Sequence, residues 1–194
     1  MIIGITGGTG CGKSSACDFF KDQGYLVIDS DKIARDVCKK GSPCLDELCQ
    51  FFGFDILDAG GNLMRKELGK IVFSNSDKLK KLNEITHKYI IEEITEIIEK
   101  NKEINIVLDA PLLIETGLDS VCTKKLCILA DKDIRKKRIS KRDSLSSEEA
   151  ENRIRSQHDD EFYISHCDYV VHNNGDVEAL YRELSEIFGG KNGK

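Results

Sequence analysis

The sequence predicts an α/β fold in which helices flank a parallel sheet of five strands. Residues 7–14 read Gly-Gly-Thr-Gly-Cys-Gly-Lys-Ser, which matches the phosphate-loop pattern G-x-x-x-x-G-K-[ST]. Short apolar runs alternate with helical segments, as in proteins built from strand–helix–strand units. The runs are almost continuously apolar, which is typical of parallel strands buried on both faces. Together these features indicate the P-loop NTPase fold.

The first predicted elements surround the phosphate loop. Residues 1–6 form a buried strand, and residues 13–22 form a helix that ends before Gly24. Residues 25–28 form the second strand, and an amphipathic helix follows near 32–39. After a Gly-Ser-Pro break, three more helices are predicted near 44–53, 65–73 and 77–101.

The remainder of the chain returns to alternating strands and helices. Strands are predicted at 104–108, 126–130 and 168–172. Helices are predicted at 132–142, 147–160 and 177–188, and the tail 189–194 is expected to fray. With the two strands at the amino terminus, these strands complete a five-stranded sheet.

The long helical stretch in the middle of the chain is too long for a simple crossover between parallel strands. It is therefore interpreted as an inserted helical substrate-binding subdomain, residues 43–103. The charged helix pair at residues 132–160 is interpreted as a helical lid. The nucleotide-binding core is then formed by residues 1–42, 104–131 and 161–194.

The phosphate loop predicts a ligand with at least two phosphates, and ATP with Mg²⁺ fits it. Glycines let the backbone turn its N–H groups inward at a helix N-terminus, which attracts anions. Lys13 reaches the β- and γ-phosphates in such loops, and the Ser14 hydroxyl holds Mg²⁺. The predicted ATP-binding residues of the loop are Gly8, Gly10, Cys11, Gly12, Lys13, Ser14 and Ser15.

Composition excludes several classes of protein. The chain has 194 residues, 40% of them hydrophobic, and a net charge of −5 with acidic and basic residues interspersed, so a broad nucleic-acid surface is not expected. No apolar run approaches the ~20 residues that span a membrane. The eight cysteines include no C-x-x-C pair, which argues against zinc. The chain is expected to be a cytoplasmic monomer with reduced thiols, weak self-association remaining open.

Cys11 differs from the other cysteines because it lies within the phosphate loop. The other seven are interpreted as small core residues, since free cysteine is often buried. A helix N-terminus can lower the pKa of a thiol. Cys11 is therefore expected to be reactive, and its modification is expected to inactivate the protein.

Several segments, in order along nearly the whole chain, resemble the dephospho-CoA kinase family. The opening Gly4–Ser14 and the segment Val27–Arg35 are similar to the start of that family. Asp109–Glu115 is similar to its P-L-L-x-E segment, the stretches 138–143 and 153–157 to its lid, and 168–175 to its nucleotide-base segment. Cys11 stands where serine is usual, and Lys88 follows His87 where the family typically has proline.

The resemblance implies transfer of phosphate from ATP to the 3′-hydroxyl of the dephospho-CoA ribose, giving CoA. It also implies that His87 contacts the substrate and that Asn173 and Gly175 bind the nucleotide. Two alternatives stay open. One is a small P-loop kinase for a nucleoside monophosphate or another metabolite, and the other is a nucleotide-dependent switch that transfers phosphate only to water.

Four residues at or shortly after the ends of strands are candidates for catalysis, substrate binding or Mg²⁺ binding. Asp31 follows the second strand and is interpreted as the base that positions the attacking hydroxyl, with a helix N-cap as its alternative role. Arg35, one helical turn on, would fix that carboxylate or bind a substrate phosphate. Asp29 either has a structural role or supports the Mg²⁺ site without binding the ion directly. Asp109 ends an apolar strand and would hold Mg²⁺ through water, with a simple turn residue as its alternative role.

The lid and an apolar segment complete the predicted site. Arg138 and Arg142 lie one turn apart in a basic helix and are interpreted as cations that close over the triphosphate, Arg142 as a catalytic residue. A solvated helix pair with ordinary i,i+4 ion pairs is the alternative. Pro111, Leu112 and Leu113 are interpreted as an apolar wall for the substrate.

Overall fold

Five strands form the sheet, as predicted, and they are β1 Ile2–Thr6, β2 Leu26–Asp29, β3 Ile106–Asp109, β4 Lys124–Leu129 and β5 Tyr169–His172. They form a parallel sheet in the order β2-β3-β1-β4-β5. The structure is a computed structural model that describes residues 1–189. The central strand β1 pairs in parallel with β3 and β4, and β4 pairs in parallel with β5.

The central strands are apolar because they are buried, and two helices cover one of their faces. Ile3 and Ile5 of β1, and Leu126 and Ile128 of β4, are completely buried. Two helices, α1 (Lys13–Asp22) and α9 (Val177–Phe188), pack on this core. They contact each other through aromatic side chains. Burial of such side chains stabilises a fold by roughly 1.5–3 kcal/mol each.

The remaining helices agree with the predicted ones to within a few residues, with one exception. They are α2 Ser30–Asp36, α3 Pro43–Phe52, α4 Arg65–Phe73, α5 Ser76–Lys100, α6 Lys132–Asp143, α7 Ser147–Arg155 and α8 Asp160–His166. The predicted helix at 147–160 was wrong, since α7 ends at Arg155 and α8 begins at Asp160. The carboxylate of Asp159 accepts a hydrogen bond from the Phe162 N–H and starts the new helix.

The chain divides into two compact units, one of which contains most of the sheet. This nucleotide unit consists, among the described residues, of Met1–Ile28 and 103–189. Its helices α6 and α7 form a pair around Ile139, Ala150 and Ile154. A capping box between Ser146 and Glu149 starts α7.

The second unit, Asp29–Lys102, is helical. It includes α2 in addition to the region predicted as the insertion, because α2 packs on α5. Its core is built around Leu48, Ile56, Leu68 and Ile85, each buried. It therefore has apolar packing of its own.

Within residues 1–189, no helix is long and apolar enough to cross a bilayer. The tail 189–194 is predicted to fray, and its residues 190–194 lie outside the described part of the chain. The remaining differences from the predicted boundaries are shifts of one to three residues, such as β3 at Ile106–Asp109 instead of 104–108.

Candidate active site

The phosphate loop follows β1 and leads directly into α1. Gly12 precedes this helix with φ 98°, a conformation that other residues rarely adopt. A Cβ atom at Gly12 would also lie 2.1 Å from Nδ2 of Asn173. Gly7 is similarly restricted, since φ is 132° and a Cβ atom would lie 2.2 Å from the Ile128 carbonyl oxygen. Glycine is therefore required at these two positions by both conformation and space.

Lys13 lies across the curled loop. Its Nζ donates to the Gly7 carbonyl at 2.6 Å and to the Gly8 carbonyl at 3.2 Å. Burial lowers the pKa of Lys13, and the charges of Cys11 and Asp109 act in the opposite direction. The ammonium is thus fixed inside the loop, where an anion bound by the loop N–H groups would meet it.

Asp109 ends β3, in register with Ile5 of the strand that leads into the loop. The carboxylate interacts electrostatically with Lys13 and, after burial, is the next cause of the raised pKa of the Cys17 thiol. Ser14, in the first turn of α1, is exposed. A hydroxyl and a carboxylate at this edge are oxygen donors of the kind that Mg²⁺ prefers.

A buried arginine of the lid stabilises the phosphate loop through hydrogen bonds. Arg135 of α6 is only 3% exposed, and its Nε donates to the Thr9 carbonyl at 3.0 Å. Its NH2 group donates to Oε1 of Gln157 at 2.9 Å, and the same oxygen accepts the Thr9 N–H at 2.8 Å. Both backbone groups of Thr9 are therefore satisfied, and the loop has a fixed shape.

Sequence reasoning missed the roles of Arg135 and Gln157. From the sequence, Arg135 has no predicted role of its own, and Gln157 is placed only within the stretch 153–157 that resembles the family's lid. The spacing contained a usable signal, since Arg135 lies four residues before Ile139, on the buried face of α6. No comparable local pattern marks Gln157, which follows the end of α7.

Arg138 connects α6, the loop and the end of β5. Its NH1 group donates to the Asn173 carbonyl at 3.0 Å, and its NH2 group contacts the Gly175 carbonyl at 3.4 Å. The buried side chain of Asn173 donates to the Cys11 carbonyl at 2.8 Å. The structure thus brings Arg138, Asn173 and Gly175 together beside the loop.

Arg142 lies at the outer end of α6. Its Nε and NH2 groups donate to the carboxylate of Asp143 at 2.7 and 2.9 Å, and its NH2 group is 3.4 Å from Oγ1 of Thr9. Arg153 of α7 also pairs with Asp143. The Asp143 carboxylate therefore holds two lid cations, one of them at the edge of the loop.

The prediction of a reactive Cys11 assumed that the pKa of its thiol is lowered, and this assumption was wrong. The side chain is completely buried, and burial raises the pKa of its thiol. The charges of Arg135 and Lys13 favour the thiolate, but desolvation is the larger effect. A backbone carbonyl of Cys11 faces Asn173, so the residue contributes to the loop through its main chain.

We expect Cys11 to resist thiol reagents in the folded protein. The raised pKa keeps the thiol protonated near neutral pH, and only the thiolate reacts readily. Alkylation followed by peptide mass spectrometry should label Cys11 at least about ten times more slowly in the native than in the urea-unfolded chain. Equal labelling rates in the two states would contradict this prediction.

Asp31, Arg35 and His87 belong to the second unit. Asp29, not Asp31, caps α2, since its carboxylate accepts the Lys32 N–H at 2.9 Å. Asp31 lies in the first turn and is exposed, so its carboxylate is free of that structural task. The carbonyl of Arg35 accepts a hydrogen bond from Arg65 at 3.0 Å.

His87 lies in α5, which continues without a break through Lys88. Burial lowers the pKa of the half-buried imidazole. Lys88 pairs with Glu47 at 3.7 Å, and the same carboxylate accepts the Tyr89 hydroxyl at 2.7 Å. The lysine at position 88 therefore joins two helices, α5 and α3, of this unit.

The predicted apolar wall needs one correction. Leu113 is completely buried, and it packs so closely on Gly4 that a Cβ atom there would lie 2.7 Å from its Cδ2 atom. It belongs to the core and has no exposed surface for a substrate in this structure. Leu112 is 57% exposed and Pro111 is partly exposed, so these two side chains remain available.

A phosphate loop with a fixed lysine, bordered by an arginine-bearing helix pair, defines a P-loop kinase. A sequence model of the family described as dephospho-CoA kinase matches residues 1–179. The dephospho-CoA kinase of Fusobacterium nucleatum is 41% identical over 187 residues, covering 96% of each chain. That of Aquifex aeolicus is 37% identical over 187 residues, covering 96% of this chain and 95% of the relative.

A solved structure agrees with these relatives. The dephospho-CoA kinase from Campylobacter jejuni superposes with a TM-score of 0.70 at 29% identity, covering 97% of this chain and 95% of the other. The chain belongs to the dephospho-CoA kinase family. It is accordingly an ATP-dependent kinase with a small-molecule acceptor, dephospho-CoA.

Proposed function

We propose that the protein transfers the γ-phosphoryl group of ATP to the 3′-hydroxyl of the dephospho-CoA ribose, giving CoA and ADP. The main support for this proposal is the phosphate loop, which is held by a hydrogen bond from Arg135 and has the Lys13 ammonium fixed across it. In the reaction, the bond between the acceptor oxygen and the γ-phosphorus forms while the bond from that phosphorus to the bridging oxygen of ADP breaks. The hydroxyl proton leaves to a base.

The residues of the nucleotide unit act on the donor. Loop N–H groups and Lys13 bind the β- and γ-phosphates, and Arg142 neutralises charge that develops on the transferred group. Arg138 holds the end of β5 against the loop, where Asn173 and Gly175 support the nucleotide. Arg135 and Gln157 keep the loop in shape without touching the nucleotide themselves.

Mg²⁺ is the second cofactor of the proposal. Ser14 would bind it directly and Asp109 through water, since both offer oxygen at the edge of the sheet that carries the loop. When bound, the ion neutralises charge on the phosphates. Magnesium keeps several waters and needs only one or two protein oxygens, so this small donor set fits it.

The residues of the second unit act on the acceptor. Asp31 accepts the proton of the 3′-hydroxyl and positions the oxygen for attack. Arg35 binds a phosphate of the substrate, and His87 makes a further contact with it. Two residues of the nucleotide unit, Pro111 and Leu112, also provide an apolar surface for the substrate, without Leu113.

Asp31→Asn should reduce turnover by about 10²-fold, the lower end of the range for general-base groups. The effect stays moderate because phosphoryl transfer has a loose transition state, in which the base mainly positions the nucleophile. Asp29→Asn is the matched control, because asparagine also caps helices and should preserve both α2 and turnover. Steady-state kinetics of the two variants would show the contrast. Equal losses would remove Asp31 from the catalytic set.

The function is tested by incubating the protein with Mg-ATP and a panel of acceptors and weighing the products. A phosphate gained only by dephospho-CoA, on its 3′-oxygen, supports the proposal. Transfer to a nucleoside monophosphate or to another metabolite would favour a different small P-loop kinase. ADP release with no phosphorylated acceptor would favour a nucleotide-dependent switch.

The proposal also includes a monomeric, cytoplasmic enzyme that needs neither nucleic acid nor membrane. All eight cysteines are free thiols, which agrees with a reducing compartment. Light scattering across a concentration range tests the oligomeric state, and a mass of twice the chain at micromolar concentration would contradict a monomer.

A further inference from the structure

A cleft in the second unit is lined by basic residues. Its volume is about 460 Å³, and it lies between α2 and the turn that precedes α4. It is lined by Arg35, Cys38, Lys39, Lys40, Asn62, Leu63 and Arg65. Four of these seven side chains are cationic and none is a carboxylate. This composition is unusual in a chain whose net charge is −5.

In the described part of the chain, three of the cleft's four cations have no carboxylate within 4 Å, and the charges of Asp36 and Asp58 act on Arg35 and Lys40 only over a longer distance. Lys39 pairs with Asp36 at 2.8 Å, as surface lysines commonly do. Among the described residues, Arg35, Lys40 and Arg65 have no carboxylate within 4 Å. Like charges at one site repel each other, and a bound anion removes that repulsion. The cleft therefore favours a ligand with more than one negative charge.

The Arg65 guanidinium is held against the backbone of Arg35. The NH2 group of Arg65 donates to the Arg35 carbonyl at 3.0 Å, which ties the start of α4 to the end of α2. Arginine presents a rigid fork of donors that matches phosphate oxygens. A pair of phosphates joined by one oxygen can use both guanidinium groups, whereas a single carboxylate cannot.

We propose that this cleft binds the diphosphate of the acceptor. The inference rests on the proposed function, because dephospho-CoA carries a diphosphate between its adenosine and its pantetheine arm. It assigns Arg65 and Lys40 to substrate binding and gives Arg35 a specific ligand group. The residues act on affinity for the acceptor, and the phosphoryl transfer itself does not involve them.

The test compares Arg65→Ala with Lys66→Ala, an equal loss of charge at the next residue, which does not line the cleft. Calorimetry without ATP should show that Arg65→Ala weakens dephospho-CoA binding about tenfold or more, as expected for a lost charge-assisted contact. Adenosine, which has no diphosphate, should bind both variants equally. Lys40→Ala should weaken dephospho-CoA binding in the same direction and leaves the Arg65–Arg35 hydrogen bond intact.

The binding of inorganic pyrophosphate tests the cleft independently of phosphoryl transfer. With ADP filling the phosphate loop, pyrophosphate should still bind to the wild type and bind at least about tenfold more weakly to Arg65→Ala. This measurement does not depend on which acceptor is phosphorylated, so the cleft and the proposed function can fail separately. Unchanged pyrophosphate binding, or an equal loss of adenosine binding, would overturn the inference.

Discussion

Lys13→Ala should reduce phosphoryl transfer by at least about 10³-fold. A preorganised cation at the β- and γ-phosphates acts most strongly on the charge of the transition state, in a site where it costs no reorganisation. In the structure, the Gly7 and Gly8 carbonyls already hold Nζ within the loop whose N–H groups would bind the phosphates. Rapid-quench measurement of CoA formation at saturating ATP would give the effect on chemistry.

Two controls keep this result interpretable. Lys21→Ala removes the same charge from the exposed last turn of α1 and should leave the rate within about twofold, as for other surface changes. Thermal unfolding should show that Lys13→Ala still folds, with a loss on the order of 1 kcal/mol for the two carbonyls left without Nζ. A variant that folds and keeps more than a tenth of the wild-type rate would remove Lys13 from the catalytic set.

The fold was largely predictable because its signals are local. The phosphate loop fixes the order strand, loop and helix within Ile2–Asp22, and continuously apolar runs fix the other strands. The error at 147–160 arose where a short break interrupts a charged, helix-favouring stretch. The signal there was Asp159 three residues before Phe162, an N-cap pattern that was not used.

The site was less predictable because much of it depends on burial. A basic residue in a basic helix gives no sign that its guanidinium will be buried against Thr9, as that of Arg135 is. For Cys11, the helix N-terminus suggested a lowered pKa, whereas tertiary packing desolvates the thiol and raises it. Leu113 looked like its neighbour Leu112 in sequence, and only the packing on Gly4 separates them.

The second large effect is expected for Arg142→Ala, which should lower turnover about 10³-fold while the KM for ATP changes only a few-fold. An arginine that meets charge developed in the transition state affects turnover, whereas one that binds the ground state affects KM. The structure holds the Arg142 guanidinium at the edge of the loop, 3.4 Å from Oγ1 of Thr9, and pairs it with Asp143. A surface ion pair of this kind contributes little to stability. The Arg142 guanidinium can therefore leave Asp143 and contact a phosphate with only a small loss of free energy.

Lys141→Ala is the matched control, since it removes an equal charge from the adjacent, exposed position of α6 and should leave turnover within about twofold. Arg142→Lys keeps the charge but loses the planar fork, so it should recover only part of the lost turnover. Arg153→Ala removes the other cation on Asp143 and should leave the role of Arg142 intact. If Arg142→Ala and Arg153→Ala lowered turnover equally, the shared Asp143 cluster would be a structural part of the lid. A loss confined to Arg142 would identify its guanidinium as the group that meets the transferred phosphate.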